Sequence, residues 1–392
     1  MMKKTVRYYA VRFLFDFMLI YPFYTLLFKQ RGQGESEIAW LLTIWSFSVI
    51  VFELPTGAIS DRLKRRTVLL WAAAFKASAF LMWIPDGGFP LIAGGFILWG
   101  LSEALASGTE ESWLFETLSE TGDEKSYAKI KGRGMLCSGI AIALSAPLAG
   151  FAYRLGMDFI LAASSAVMAV AGLFIIGFGN PPRITIENSE EACAGASGVL
   201  EAVKSPVIFP LILFSGLILI SAGMLDEWDP LFLTELGSGP RILGLWISLR
   251  FIAESSGGAL AHRFSALNRK PLLMLAAAAI ASVPLALIGY FRNLLLLPLY
   301  AAFYFVYAGI GVLIETRIQH AMTGNRRATV LSVKSLAENV SGAVFILATG
   351  YIAKYRGFGT AWIASCIYTL ICSLPLFIIF RKRRVHDSAR FT

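Results

Sequence analysis

Apolar runs of about 20 residues recur from one end of this chain to the other, and they restrict the fold more than any other feature. A helix of that length crosses the hydrocarbon core of a bilayer. The runs are continuous, which excludes the alternating strands of about ten residues that build outer-membrane barrels. The sequence therefore predicts an all-α integral membrane protein with twelve transmembrane helices, at approximately residues 8–28, 38–59, 67–85, 90–112, 133–153, 158–179, 207–228, 241–262, 271–290, 294–317, 328–352 and 359–380.

The composition agrees with a membrane location. Of the 392 residues 56% are apolar and only 16% are charged, the mean hydropathy is +0.65, and soluble domains have about 25% charged residues. The net charge of +9 comes from Lys and Arg that lie between the apolar runs, so it indicates the lipid bilayer as partner and no nucleic acid. The four cysteines show no metal-ligand spacing, and neither a metal nor a cofactor is expected.

The basic residues also predict the orientation. Clusters of Lys and Arg precede the first run and follow the second, fourth, eighth, tenth and twelfth runs, whereas the alternate loops have fewer. Both termini are therefore expected on the cytoplasmic side of the cell membrane. The first run is expected to be a retained helix and not a signal peptide, because Arg12 and Asp16 interrupt its apolar core.

The chain divides into two similar halves. A polar stretch at residues 181–205 predicts a cytoplasmic linker between an N-terminal bundle, residues 1–180, and a C-terminal bundle, residues 206–392. A shift of 201 residues aligns six identical pairs: Leu42 with Leu243, Trp45 with Trp246, Glu53 with Glu254, Gly57 with Gly258, Ala58 with Ala259 and Arg62 with Arg263. Such a repeat is typical of transporters built from duplicated bundles.

Several charged residues fall inside the apolar runs, where each costs about 2.5–3.5 kcal/mol at the centre of the bilayer. Asp16, Glu103 and Arg250 lie near the middle of their runs. A carboxylate there either takes up a proton, meets a cationic substrate or pairs with another helix. Three oppositely charged pairs share a helix face at a spacing of four residues, and internal pairing is the favoured interpretation of the last two: Arg12 with Asp16, Arg250 with Glu254, and Lys334 with Glu338.

The loop after the second run, Gly57 to Arg66, resembles the signature loop of the major facilitator superfamily. The resemblance implies a fold of two six-helix bundles and a cytoplasmic gate in which Asp61 meets the start of helix 11. His262 stands at the place of that aspartate in the repeat copy. The gate predicted in this way comprises Glu53, Gly57, Asp61, Arg62, Arg65, Arg66, Glu254, Gly258, Arg263, Arg327, Lys334 and Glu338.

Two further segments are similar to parts of this family. Helix 5 contains Gly139, Pro147 and Gly150 and resembles the Gly-Pro motif of antiporters, although Ala146 and Ala149 replace glycines. An ordinary packing site of small residues explains the same segment equally well. Residues 107–116 and 327–332 are similar to segments of drug- and metabolite-efflux members.

In this family helices 1, 4, 7 and 10 line the central cavity. The residues that this places in a substrate or proton site are Asp16, Tyr21, Tyr24, Trp99, Glu103, Tyr300, Tyr304 and Tyr307. Arg250 of the eighth run is added to the site because of its depth in the membrane. Aromatic side chains with few carboxylates suit an amphipathic or cationic organic compound.

The leading hypothesis is a monomeric, non-enzymatic secondary transporter that exports such a compound in exchange for protons. One alternative is a proton symporter that imports a nutrient or metabolite. Another is a membrane sensor or an intramembrane enzyme, which is disfavoured because no nucleophile motif, metal constellation or phosphate-binding loop is evident.

Overall fold

The computed structural model describes residues 2–120, 122–123, 126–181, 203–321 and 327–388. Within these ranges every long element is a helix, and the predicted all-α fold is confirmed. Residues 182–202, most of the predicted linker, lie outside them, so the predicted domain boundaries stay a prediction. Clustering of contacts divides the chain into two compact units.

In the described ranges, the first unit is built from seven helices together with residues Ser238–Phe251. Helix α4 packs against α5 and α7, α3 packs against α5, and α1 lies against α6 and α7. The helices are α1 Met2–Asp16, α2 Tyr24–Gln30, α3 Glu35–Arg62, α4 Arg65–Met82, α5 Gly88–Glu120, α6 Tyr127–Ala152 and α7 Met157–Ile176.

The second unit holds the remaining helices and the second half of α11, from Ile252. Helix α12 packs along α15, and α14 also lies on α15. The helices are α8 Ile208–Phe214, a π-helical turn Ser215–Leu219, α9 Ile220–Leu225, α10 Asp229–Glu235, α11 Pro240–Leu260, α12 Pro271–Phe291, α13 Leu297–Ala321, α14 Arg327–Arg356 and α15 Phe358–Ser388.

Nine helices in the described ranges are long and apolar enough to cross a membrane. They correspond to all the predicted spans except the first, third and eighth. The first span is broken. Helix α4, at the third span, contains Arg65, Arg66 and Lys76, and α11, at the eighth span, contains Arg241, Arg250 and Glu254. Bulky apolar side chains are exposed along α6, where hydrocarbon would cover them: Met135, Leu136, Ile140, Leu144, Leu148 and Phe151.

The first helix of each unit is discontinuous in a similar way. The prediction of one helix over residues 8–28 is wrong, because α1 ends at Asp16 and a separate helix of seven residues, α2, follows. In the second unit, α10 also has seven residues. Two residues beyond each short helix lies a glycine with positive φ, Gly32 at 83° and Gly237 at 84°. A glycine in this conformation ends a helix without a Cβ clash.

Candidate functional site

The break in the first helix lies inside the first unit and is held by side chains from two other helices. The backbone N–H of Ile20, which has left the helical pattern, donates to Ser164 Oγ of α7 at 3.1 Å. The carbonyl oxygen of Phe15, in the last turn of α1, accepts from Lys76 Nζ of α4 at 3.2 Å. Backbone groups inside a membrane need partners within the protein. The polar side chains of α4 and α7 supply them here.

Lys76 forms a buried ion pair with Glu103 of α5. The Nζ–Oε1 distance is 2.9 Å, and the Lys76 side chain is 2% exposed against 37% for Glu103. Trp99 Nε1 donates to the same carboxylate oxygen at 3.0 Å. A buried ammonium without a counter-charge costs several kcal/mol, so the pair ties α4 to α5.

Aromatic rings surround this pair. Tyr21, within the helix break, stacks on Trp99 with ring centroids 5.5 Å apart, and Tyr24 meets Trp99 edge-on at 5.9 Å. Lys76 Nζ lies 5.6 Å from the ring centroids of Phe15 and Tyr21 and 5.9 Å from that of Trp99. Four residues of the predicted site, Tyr21, Tyr24, Trp99 and Glu103, are thus brought together.

Lys76 is the charged member of this cluster that the sequence analysis did not assign to the site. Its signal was visible, because a lysine in the third apolar run has no acidic residue one turn away on its own helix. Such a lysine requires a partner from another helix. Which helix supplies that partner depends on the packing of α4 against α5.

Asp16 belongs to a second charged group at the end of α1. Its carboxylate lies 4.0 Å from Arg12, as the spacing of four residues predicted. The shorter contact of Arg12, however, is to Glu110 of α5 at 3.0 Å. The group therefore has one base for two carboxylates, and Asp16 is 25% exposed.

In the second unit, two of the predicted tyrosines bind a carboxylate that the sequence analysis left out of the site. Tyr300 donates to Asp229 Oδ1 at 2.7 Å, and Tyr304 lies 3.4 Å from Oδ2. The Asp229 side chain is fully buried, and it lies at the start of α10, directly before Pro230. Tyr307 donates instead to the carbonyl of Ala278 at 3.3 Å.

A cavity of about 400 Å³ opens among the helices of the second unit. Glu338 on its wall accepts from the Ser215 hydroxyl and pairs with Lys334 at 2.8 Å, which confirms the pairing predicted for these two residues. Ser215 begins the π-helical turn, a feature often found at functional sites. The polar lining is Ser215, Asp226, Glu254, Tyr304, Tyr307, Glu315, Lys334 and Glu338.

The structure shows side-chain contacts for only some of the residues predicted for the cytoplasmic gate. Arg65 pairs with Glu116 of α5 at 3.0 Å and donates to Ser60 Oγ at 2.7 Å, so it fixes the start of α4. Arg66 lies 3.4 Å from the carbonyl of Ile176. Glu53, Gly57, Arg62 and Arg263 are exposed or partly exposed, and Gly258 lies near Val312. The side chains of Asp61 and Arg327 lie outside the described residues. The gating role stays a prediction.

The segment of helix 5 that resembles the antiporter motif packs closely on the first half of α11. A Cβ on Gly150 would lie 2.7 Å from the carbonyl oxygen of Pro240, and one on Gly244 would lie 2.3 Å from that of Ala146. Pro147 has no N–H, so it leaves the carbonyl of Ala143 without a helical donor. Ser248 supplies that donor at 2.8 Å. Gly139 lies two turns before Pro147 on the same helix, α6.

Ser248→Ala is expected to destabilise the protein by about 1–2 kcal/mol, because it leaves a buried carbonyl unsatisfied. Ser365→Ala is the matched control, since Ser365 is buried and bonds to the carbonyl one turn back, as hydroxyls in regular helices do. It should cost clearly less. Thermal unfolding of the two purified variants in detergent measures the difference, and equal losses would contradict this role of Ser248.

The fold is that of a helical membrane protein built from two units. The sequence profile of the Major Facilitator Superfamily matches residues 10–345, and the chain belongs to this family. It is a multi-pass membrane protein.

Two Bacillus subtilis (strain 168) proteins are similar in sequence, both named as uncharacterized MFS-type transporters. YceJ is 29% identical over 149 residues, 37% of this chain and 36% of that protein. YxaM is 22% identical over 237 residues, 58% of each. The matches thus span between about a third and three-fifths of these relatives.

Solved transporter structures share the fold over almost their whole length. A mutant of the nucleoside transporter NupG superposes with a TM-score of 0.81 at 14% identity and covers 96% of this chain and 99% of that one. A bacterial homolog of the human lysosomal transporter Spinster, inward-facing and unoccupied, gives 0.77 at 13%, with coverage of 97% and 96%. A D-xylose-proton symporter gives 0.72 at 15%, with 95% of each chain covered. At these identities the similarity establishes the fold alone.

Proposed function

We propose that this transporter exports a small amphipathic or cationic organic compound by alternating access, in exchange for protons. The observation that supports this substrate class is the cavity of the second unit. Among the described residues, its wall carries four carboxylates, Asp226, Glu254, Glu315 and Glu338, and one base, Lys334. An excess of carboxylates beside tyrosine rings favours a cation over a neutral or anionic compound.

The proposal of proton exchange rests on the same carboxylates and on those of the first unit. A carboxylate that gives up a cation in a poorly hydrated site is stabilised by taking up a proton instead. The helix 5 segment with Pro147 and Gly150 resembles the antiporter motif, and this resemblance favours export. We infer further that the protein works as a monomer in the cell membrane with both termini cytoplasmic.

A proton-coupled importer is the second candidate. The observation in its favour is the similarity in fold to a D-xylose-proton symporter. A nutrient with hydroxyl groups would use the carboxylates and tyrosines of the cavity as hydrogen-bond acceptors and donors.

Purified protein in proteoliposomes with an imposed pH gradient distinguishes these functions. Ethidium and tetraphenylphosphonium serve as monovalent organic cations. Accumulation driven by an acidic interior indicates exchange with protons, and accumulation driven by an acidic exterior indicates symport. Accumulation that ignores the gradient contradicts proton coupling, and no accumulation of any tested cation contradicts the substrate class.

Glu338→Gln is expected to reduce the accumulation of these cations severalfold, because it removes the carboxylate that Ser215 and Lys334 hold at the cavity wall. Glu120→Gln is the matched control, since Glu120 is an exposed carboxylate that pairs with Lys4 at 2.7 Å. It should transport like the unmodified protein. Equal transport by both variants would count against the cavity as the substrate site.

A further inference from the structure

The groups around Lys76 form a binding site for an ammonium ion. A carboxylate oxygen of Glu103 lies 2.9 Å from Nζ and the carbonyl oxygen of Phe15 lies 3.2 Å from it. That carbonyl belongs to the last turn of α1, where the helix dipole favours a positive charge. Three aromatic rings lie within 6 Å of Nζ, and such rings attract cations through their faces. In this structure the protein's own lysine occupies the site.

The two members of the ion pair differ in their accessibility. The side chain of Lys76 is only 2% exposed, whereas that of Glu103 is 37% exposed. Both hydrogen bonds of Glu103, from Lys76 and from Trp99, end on Oε1. Oε2 accepts no hydrogen bond from the described part of the chain. Glu103 is therefore the accessible member of the pair, and Lys76 is the enclosed one.

The single negative charge of the Lys76–Glu103 pair limits the number of cations that can bind there. One carboxylate balances one cation, and a buried ammonium that loses its counter-charge is destabilised by several kcal/mol. Lysine responds to such a site by giving up its proton, because the neutral amine does not need the counter-charge.

We propose that Lys76 carries the proton that is exchanged for an organic cation. When the cation binds Glu103, the Nζ–H bond of Lys76 breaks, its electron pair stays on the nitrogen, and the proton goes to water. When the cation leaves, Lys76 takes a proton from water and pairs with Glu103 again. The net charge is conserved in both directions. This inference rests on the proposed exchange of cations for protons. It assigns the exchanged proton to Lys76 in place of a carboxylate, and it adds Glu103 of the first unit to the cavity of the second unit as a place where the cation binds.

Other titratable groups lie around the Lys76–Glu103 pair, and an experiment has to distinguish their protons from that of Lys76. Helix α1 contributes Asp16, which acts electrostatically on Lys76, and Arg12, which acts on Glu103. Tyr21 faces Lys76 from the helix break, and α7 contributes the uncharged Ser164 and Ser165. From α5, Glu110 contacts Arg12. Glu110 is the competing source of a released proton.

Measurement of the protons released when a cation binds identifies the group that loses them. Ethidium is added to purified protein in a weakly buffered detergent solution with a pH indicator. The unmodified protein is expected to release about one proton per bound cation, and its affinity should rise about tenfold per pH unit. Lys76→Gln should bind ethidium without proton release and with an affinity that is independent of pH, whereas Glu110→Gln should keep the release. Unchanged release from Lys76→Gln, or its loss in Glu110→Gln alone, overturns the proposal.

Chemical rescue tests the ammonium site without reference to transport. Lys76→Ala removes the side chain beyond Cβ, and n-propylammonium supplies the missing atoms. It should raise the melting temperature of Lys76→Ala but not that of the unmodified protein or of Lys76→Ala combined with Glu103→Gln. Absence of rescue, or rescue that persists without Glu103, overturns the site.

The two experiments separate this inference from the proposed function. Rescue by propylammonium without any cation-proton exchange in proteoliposomes would leave the ammonium site in place and refute the exchange function. Exchange that continues in Lys76→Gln would leave the proposed function in place and refute the role of Lys76.

Discussion

Glu103→Gln is expected to destabilise the protein by about 3 kcal/mol, toward the low end for breaking a buried ion pair. The substitution leaves the ammonium of Lys76 buried beside a neutral amide, and the Lys76 side chain is 2% exposed. Lys76→Met should cost less, because the carboxylate that remains is 37% exposed and water or a proton can stabilise it. The two members of one contact are thus expected to differ in their effect.

The double variant Lys76→Met with Glu103→Leu is expected to recover most of the stability lost by Glu103→Gln. Replacement of both charges by apolar groups of similar volume removes the cost of burying them. Melting temperatures in one detergent, measured for Lys76→Met, Glu103→Leu and the double variant, give the coupling between the positions. A double variant that is as unstable as the sum of the single ones would contradict this account of the pair.

An exposed ion pair on the same helix is the control. Glu111 contacts Lys131 at 2.6 Å, and the two side chains are 56% and 38% exposed. Glu111→Gln should change the free energy of unfolding by less than about 1 kcal/mol, as is typical for pairs at a surface. A loss comparable to that of Glu103→Gln would show that any carboxylate of α5 matters equally.

Patterns along the chain predicted much of the fold. Apolar length predicted the helices, and the spacing of four residues predicted the contact of Lys334 with Glu338, because partners one turn apart meet in any regular helix. The spacing of four residues accounts for only one contact of Arg12, because its shorter contact is to Glu110 of α5. Partners on different helices depend on rotation and depth in the packed unit, which one sequence does not reveal.

The break in the first helix shows a second limit. Pro22 lies within the break, and a proline inside a membrane helix is often accommodated by a kink instead. A full break requires side chains that take over the freed backbone groups, and these are Ser164 and Lys76, more than 50 residues away in the chain.

The aromatic residues of the predicted site were recognised from their helices. Their gathering around Lys76 follows from the break, which moves Tyr21 out of the helical path and onto Trp99.

Gly244→Ala is expected to destabilise the first unit by about 1–3 kcal/mol and to abolish most transport, because it overpacks a backbone contact. The added Cβ would lie 2.3 Å from the carbonyl oxygen of Ala146, and a carbonyl cannot turn aside as a flexible side chain can. The neighbouring Pro147 and Ser248 depend on the same approach of α6 and α11. Separation of the helices would therefore also break the hydrogen bond from Ser248 to Ala143.

Gly108→Ala is the matched control, because Gly108 lies within α5 and a Cβ there would meet nothing within 4 Å. Alanine favours a helix over glycine by about 1 kcal/mol, so this variant should be as stable as the unmodified protein or more so. Melting temperature and cation accumulation in proteoliposomes are measured for both variants. If Gly244→Ala matched Gly108→Ala in both, the close contact of α6 with α11 would not be needed for stability or transport, and the Pro147 segment would be an ordinary stretch of helix.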